Sequence, residues 1–340
     1  MLASAGIVGF AFFLMELVWY RMLAPLLGGS TYSFGLILAV ALAGIGAGSA
    51  AYWLSGRGRA ATLSAFAATC AVEALCLVIP YALGDRVAIL AILLRPLGTF
   101  GFGGYIAGWS IVASLVVFPA AFVAGFQFPL LIALLGRGRD HVGRDVGLTY
   151  AWNTAGGIAG SLAGGFGLLP VLSATGTWVF VTALLCALGL LALALAGRSG
   201  RKLPALIPLG AAAASLLLLT GPGPTTAWRH SPIGAGRVNP GKPSPNSLRD
   251  WLARSRRILA WEKDGVESSV GVLKGSDGYA FAISGKVDGS ARGDAATQVM
   301  GGLVGAVLHA NPRRALVIGL GTGSTAGWLA RYPRSNASTS

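Results

Sequence analysis

The stretch RRALVIGLGTGSTAG, Arg313 to Gly327, has the residue order in this chain that implies a particular chemistry. Ala315 to Ile318 is a short apolar run between two arginines and a glycine, which predicts a buried parallel strand. Gly319, Gly321 and Gly323 then allow a tight turn that lets the backbone approach a ligand. Ser324 or Thr325 can cap a helix through Trp328 and Leu329. Such a helix start offers free N–H groups and the positive end of its dipole to an anionic or polar ligand.

The spacing narrows the ligand. A dinucleotide fingerprint needs G-x-G-x-x-G, and the position of its third glycine holds Ser324. A phosphate loop ending in Gly-Lys is absent as well. What remains, G-x-G-x-G with Thr322 between its last two glycines, is the turn of the nucleoside-binding fold used by S-adenosylmethionine-dependent methyltransferases and aminopropyltransferases.

Outward from this stretch the chain reads as membranous. It is 54% hydrophobic and 11% charged, against roughly 25% charged residues in a soluble domain. Composition divides it near Thr220 into a transmembrane part, 1–219, a Pro/Gly-rich basic part, 220–257, and a soluble part, 258–340. Positive charge is in excess throughout, with 11 Lys/Arg against 5 Asp/Glu before Thr220 and 15 against 7 after it. The positives are dispersed and carry no nucleic-acid recognition motif, so their expected partner is the anionic lipid surface of the bilayer and not nucleic acid. Cys70, Cys76 and Cys186 form no C-x-x-C pair, and His141, His230 and His309 are scattered, so neither a disulfide framework nor a metal site is expected.

Six spans are predicted: Leu2–Leu27, Tyr32–Leu54, Ala60–Leu83, Tyr105–Leu135, Val146–Leu172 and Thr175–Ala196. The first lacks the basic leader of a cleavable signal and is expected to stay in the membrane. Glu16 and Arg21 lie within it and Glu73 in the third, where a charge is costly and pairs structurally with a neighbouring span or serves a substrate or proton. Gly44, Gly46, Gly48 and Ser49 form a small-residue face for helix contact. Asn153 and Thr154 stand beside GGIAGSLAGG in the fifth span. Asp85 to Gly104, broken by Arg95-Pro96, is too short to cross and is read as interfacial or re-entrant. Pro119 and Pro129 predict kinks in the fourth span.

The clusters GRGR (56–59), Arg137 to Arg144 and Arg198 to Lys202 fall on one side of such a bundle. The positive-inside rule therefore assigns them and the N-terminus to the cytoplasm of a multi-pass cell-membrane protein. Leu203–Leu219 is at the lower limit for crossing: a crossing would put the C-terminal part outside, whereas the favoured re-entrant or interfacial course would keep it cytoplasmic. Gly221 to Pro245 reads as an extended linker, and Asn246 or Ser247 as the cap of a basic amphipathic helix through Arg257 fit to lie on a membrane surface. Glu267–Lys274 and Tyr279–Ser284 alternate around Gly275-Ser276-Asp277-Gly278 as a hairpin. Asp294–Leu308 is helical.

This order of hairpin, Gly285-Lys286 turn, DGSARGD, a helix bearing Gln298 and Met300, and HANPRRALVIGLGTGSTAG resembles the start of a spermidine synthase domain. MELVWYRMLAPLLGGS and YAWNTAGGIAGSLAGG are similar to the multi-span module of membrane-bound spermidine-synthase-like proteins, which itself has some likeness to half of a major facilitator transporter. The resemblance implies a polytopic helical membrane domain followed by the start of a Rossmann-like α/β domain. It also implies aminopropyl or methyl transfer from decarboxylated S-adenosylmethionine or S-adenosylmethionine to a small amine. Gly319, Gly321, Thr322, Gly323, Gln298 and Asp288 would face the nucleoside, with no metal. Departures stand beside it: Ile283-Ser284-Gly285 replaces Leu-Asp-Gly, Asp288 replaces a glutamine, Gly293-Asp294 replaces Asp-Glu, and Gly319-Leu-Gly321 replaces three glycines.

A ribose-holding acid is expected about 20 residues after the glycines, and the sequence ends at Ser340 before that point. The chain is therefore expected to be truncated and inactive in transfer. Its last residues, SNASTS, are read as a frameshift: with assumed codons TCG AAC GCG TCG ACG TCG after a final G, a one-base shift spells Val-Glu-Arg-Val-Asp-Val, which alternates as a strand does. The rival reading is a transporter or scaffold for polyamines or other amines, with Glu16, Arg21, Glu73 and Asn153 lining a polar path. Either could form a homo-oligomer.

Overall fold

The structure is a computed structural model that describes residues 1–55, 60–136, 141–198, 205–238, 244–276 and 278–332. The membrane part opens with α1 (Leu2–Leu27), α2 (Thr31–Ser55) and α3 (Leu63–Leu83), followed by a short α4 (Asp85–Leu94). A 3₁₀ turn over Arg95–Phe100 leads into α5 (Phe102–Leu135) and α6 (Val142–Ala163). A π turn over Gly164–Leu168 joins α6 to α7 (Leu169–Gly197), and α8 (Leu206–Leu218) closes the membrane part. Five of these helical stretches are long and apolar enough to cross a membrane, with Val142–Gly197 counted as one. That stretch is divided at Ser173, whose φ of 65° and ψ of 171° interrupt the helix. The break falls between the fifth and sixth spans expected from sequence.

Close backbone approaches fix how the helices pair. A Cβ on Gly156 would lie 1.9 Å from Gly6 O, and one on Gly160 would lie 2.4 Å from Phe10 O, so α1 and α6 run parallel. Along α2, Gly44 meets Phe118 and Ala121 while Gly48 meets Phe122, and Ser49 Oγ donates to Gly125 O at 2.9 Å, so α2 and α5 are parallel too. Gly46 has open space beside it and is not on the contact face. Helix α7 runs against α3, with Gly189 beside Ala67 at one end and Trp178 Nε1 donating to Leu77 O at the other.

These contacts define two ends of the bundle. At one end Ala5, Phe66, Leu130 and Leu193 share a cluster, joined by Ala205 just before α8. Helices α2, α5 and α7 end here, and 56–59, 137–140 and 199–204 lie outside the described residues. At the other end lie Gly28, Gly84 and Gly101. Helix α8 runs between the ends, since Ala205 packs at the first and Gly223 sits against Tyr81 and Gly84 at the second. Its 13 residues cover about 20 Å at roughly 1.5 Å per residue. Residues 206–218 thus run from one end of the bundle to the other, where a re-entrant or interfacial course was favoured over a crossing for 203–219. Residues α4 to Phe100 enter and leave at the second end without crossing.

The expected linker is packed for much of its length. A single-turn helix, α9 (Thr226–Arg229), carries Trp228 into the bundle core, fully buried, with Nε1 donating to Met22 O at 2.6 Å. Ile233 and Val238 follow it into the same cluster. Proline content suggested an extended chain, but burial of a tryptophan and two branched residues outweighs that tendency. Helix α10 (Pro245–Arg257) is capped by Ser244 in a reciprocal pair with Ser247, two positions before Asn246 and three before Ser247, the caps expected, because Pro245 takes the first helical position where its missing N–H is harmless. Rather than only lying on a surface, α10 turns Trp251 onto the bundle core and Arg256 onto Asp85.

The hairpin expected from sequence belongs to a four-stranded antiparallel meander, β1 (Leu259–Asp264), β2 (Ser269–Gly275), β3 (Gly278–Ile283) and β4 (Lys286–Ser290). Asp277 of its turn and residues 333–340, including the tail read as frameshifted, lie outside the described residues. Helices α11 (Ala295–Leu308) and α12 (Ser324–Arg331) pack together, with Gly302 against Thr325. Ala315–Ile318 forms no strand: Leu316 and Ile318 are 85% and 91% exposed. A parallel strand of this kind needs neighbours on both edges and cover on both faces, and among the described residues nothing pairs with it.

Candidate functional site

The glycine turn has the backbone form that its sequence requires. Gly319, Gly321 and Gly323 have φ of 83°, 51° and 76°, in the region that excludes most side chains. No atom lies within 4 Å of a Cβ built at any of them, so the turn is open on its outer side. Gly323 itself precedes α12, without a side-chain cap. Neither Ser324 nor Thr325 acts as the expected cap: Ser324 N–H donates to Thr322 Oγ1 at 3.3 Å, while Thr325 Oγ1 donates back to Gln298 O at 2.8 Å.

Gln298 and Thr322 are brought together. Thr322 Oγ1 hydrogen-bonds Gln298 Oε1 across α11 and the turn. Gly289 on β4 completes the contact, since a Cβ there would lie 2.7 Å from Gln298 Nε2 and 3.0 Å from Thr322 Cγ2. Asp288 does not join them. It sits where the β3–β4 register shifts, and its carboxylate pairs with Lys286 at 3.7 Å instead. No Asp or Glu follows Asp294 in the sequence, so the chain between α11 and Tyr332 offers the turn no carboxylate for ribose hydroxyls.

A second constellation, not anticipated from sequence, joins the sheet to the membrane bundle. Asp264 at the end of β1 is 2% exposed and takes a 2.9 Å hydrogen bond from Arg229 Nη2 and a 2.7 Å bond from Ala174 N–H. That N–H opens the helix beyond the Ser173 break, where a carboxylate interacts favourably with the dipole. Ser173 Oγ accepts from Gly176 N–H at 3.3 Å, so the restarted helix is capped twice. Arg21 donates to the carbonyls of Gly265 and Val266 at 3.0 and 2.8 Å and lies 3.9 Å from Asp264. Its partner is therefore the β1–β2 turn and not Glu16 or another span.

Two positions earlier on the same face of β1, Glu262 Oε2 is shared by Arg229 Nη1 at 2.8 Å and His230 Nε2 at 2.7 Å. The hydrogen bond from His230, helped by Arg229, holds the Glu262 carboxyl below its usual range despite partial burial. The alternation Glu262-x-Asp264 facing Arg229-His230 is the one sequence signal that could have found this cluster.

Of the residues proposed to line a polar path, Arg21 and Asn153 have structural partners. Asn153 Nδ2 donates to Ala5 O at 3.1 Å in the α1–α6 contact. Glu73 is 3% exposed and its Oε2 has no partner among the described residues, while Glu16 is half-buried on α1. Among the described residues no group of three His, Cys, Asp or Glu side chains could hold a metal ion.

Comparison with protein-family models, with curated proteins and with solved structures returns no match for this chain. The class that the structure itself supports is a multi-pass helical membrane protein carrying a small antiparallel sheet.

Proposed function

We propose that the chain is a membrane-anchored, spermidine-synthase-like protein whose glycine turn belongs to the site for an S-adenosyl nucleoside. In such a site an aminopropyl or methyl group would pass from the sulfonium sulfur to the nitrogen of a small amine, the C–S bond breaking as the C–N bond forms, with the thioether nucleoside as leaving group and the amine proton lost to a base. Alignment of the two and removal of the amine proton would supply the rate gain. The observation that carries this reading is the convergence of Gly289, Gln298 and Thr322 beneath a turn of three glycines with open space above it. Because Asp288 pairs with Lys286 instead of joining the turn, nucleoside affinity is expected to be no tighter than about 1 mM, near 4 kcal/mol. A cysteine at Gly319 tests the reading in nanodiscs. Decarboxylated S-adenosylmethionine or methylthioadenosine at about ten times that concentration should slow its reaction with maleimide, and Gly321→Val should remove the protection. Equal rates with and without nucleoside would reject it.

The position of α8 favours a second reading. It sets the sheet and the glycine turn at the bundle end opposite the arginine-rich loops. With those loops cytoplasmic by the charge rule, the soluble part faces outward, away from the cell's nucleoside pool. The protein would then be a membrane scaffold or amine transporter with an external regulatory part. Uptake of polyamine into proteoliposomes that is lost on Glu73→Gln would support this second reading over the first.

A further inference from the structure

A cleft lies between α10, the packed segment 226–238 and the neighbouring strand β2, well apart from the glycine turn in sequence. Val238, Trp251 and Leu273 give it an apolar floor. Arg237 and Arg254 stand on its walls, both exposed, and among the described residues neither guanidinium has an ion-pair partner. Their neighbours Arg229 and Arg256 are both paired, the first with Asp264 and Glu262 and the second with Asp85. His230 lines the same cleft. It is 1% exposed, its Nε2 is held by Glu262, and its Nδ1 has no partner. A buried polar atom normally finds one.

Size and chemistry together limit the ligand. The cleft encloses about 230 Å³, more than a bare ion fills but less than the roughly 300–1,000 Å³ that buries a whole drug-sized ligand, so it suits the head and adjoining part of an organic anion. Two free guanidiniums favour a phosphate or carboxylate head, which they can grip with paired charge-assisted hydrogen bonds. The tryptophan and aliphatic floor favours an apolar body attached to that head. We infer that this cleft binds an anionic amphiphile, with its phosphate or carboxylate between Arg237 and Arg254 and its apolar portion over Trp251. The ligand can come from the bilayer, as an acidic phospholipid, or from solution, as an organic phosphate. The lipid source is within reach because Trp228, two residues before His230, bonds Met22 O near the end of the apolar, span-length helix α1.

Native mass spectrometry of the full chain in neutral detergent tests this. The chain is offered phosphatidylglycerol, phosphatidylcholine and, separately, octyl phosphate. The wild-type chain should retain phosphatidylglycerol over phosphatidylcholine, or octyl phosphate if the ligand is soluble. Either result supports the site and identifies its source. Arg237→Gln with Arg254→Gln should weaken that retention at least about tenfold, as loss of two charge-assisted contacts requires, with the melting temperature unchanged. Arg249→Gln, which alters an exposed arginine of α10 that does not line the cleft, should leave retention as it was. Three results would overturn the proposal: no retention of either anionic probe, unchanged retention by the double variant, or an equal loss in Arg249→Gln, which would reduce the effect to general surface charge.

Discussion

Asp264 and Ala174 are 90 residues apart in sequence and are joined by a hydrogen bond of 2.7 Å, from the main-chain N–H of a membrane helix to a carboxylate at the end of a strand. The same carboxylate accepts from Arg229 and faces Arg21, so one side chain couples the sheet, the packed segment after α8 and two membrane helices. Replacing Asp264 with Ala leaves the buried Arg21 guanidinium without its countercharge and Arg229 with Glu262 alone, and it removes the acceptor of the Ala174 N–H. The expected loss is about 3–5 kcal/mol, the cost of breaking a buried pair from one side. Unfolding of the purified protein in detergent would measure it, and a loss below about 1 kcal/mol, the level of an exposed pair, would show that the cluster is not a structural anchor.

Acid should loosen the same interface. Glu262 is held below its ordinary value of 4.5 by the hydrogen bond from His230 and by Arg229. A carboxyl whose pKa is lower in the folded state contributes stability that is present above its unfolded pKa and lost as pH falls through the folded one. Stability should therefore drop below about pH 4.5, and Glu262→Gln should flatten that part of the profile. Identical acid profiles for the two proteins would remove Glu262 from the account.

The course of α8 makes a topological prediction. His141 precedes α6 at the end where the arginine-rich loops open, and Lys274 lies on β2 at the other. Single cysteines at these two positions should react with an impermeant maleimide from opposite faces of the membrane. The loop charges further predict that His141→Cys reacts from the cytoplasmic face. Labelling of both positions from one face would restore a re-entrant α8.

Glycines two residues apart in α2 should differ sharply. A side chain at Gly48 would meet Phe122 O at 1.9 Å, whereas nothing stands within 4 Å of Gly46. Gly48→Val should separate α2 from α5 and lower the yield of folded protein. Gly46→Ala should be neutral or stabilising by up to about 1 kcal/mol, the helix preference of alanine over glycine. Thermal melts of both variants would check this, and equal effects would contradict the packing.

Trp228→Ala should cost about 3–5 kcal/mol, as for other large buried aromatics, because the side chain is fully enclosed and its Nε1 bonds Met22 O. Protease cutting within 226–238 should rise in step. A variant as stable and as resistant as the parent would mean that this segment is a linker after all.

The membrane character of the chain and the division of its helices were legible in the sequence because each follows from local composition: apolar runs of spanning length, bounded by arginines, glycines and prolines. The glycine turn was legible for a similar reason, since positive φ at Gly319, Gly321 and Gly323 is a demand that only glycine meets cheaply. Partnership was not legible. Arg21 finds the carbonyls of Gly265 and Val266 more than 240 positions away, and the Pro-rich segment becomes core because Trp228 and Ile233 fit a gap that exists only once the helices have packed. The direction of α8, and with it the side on which the sheet lies, depends on contacts of Ala205 and Gly223 at opposite ends of the bundle. A stretch of marginal length cannot specify those contacts by itself, because hydropathy measures whether a segment prefers lipid and says nothing about which neighbours await it at either end.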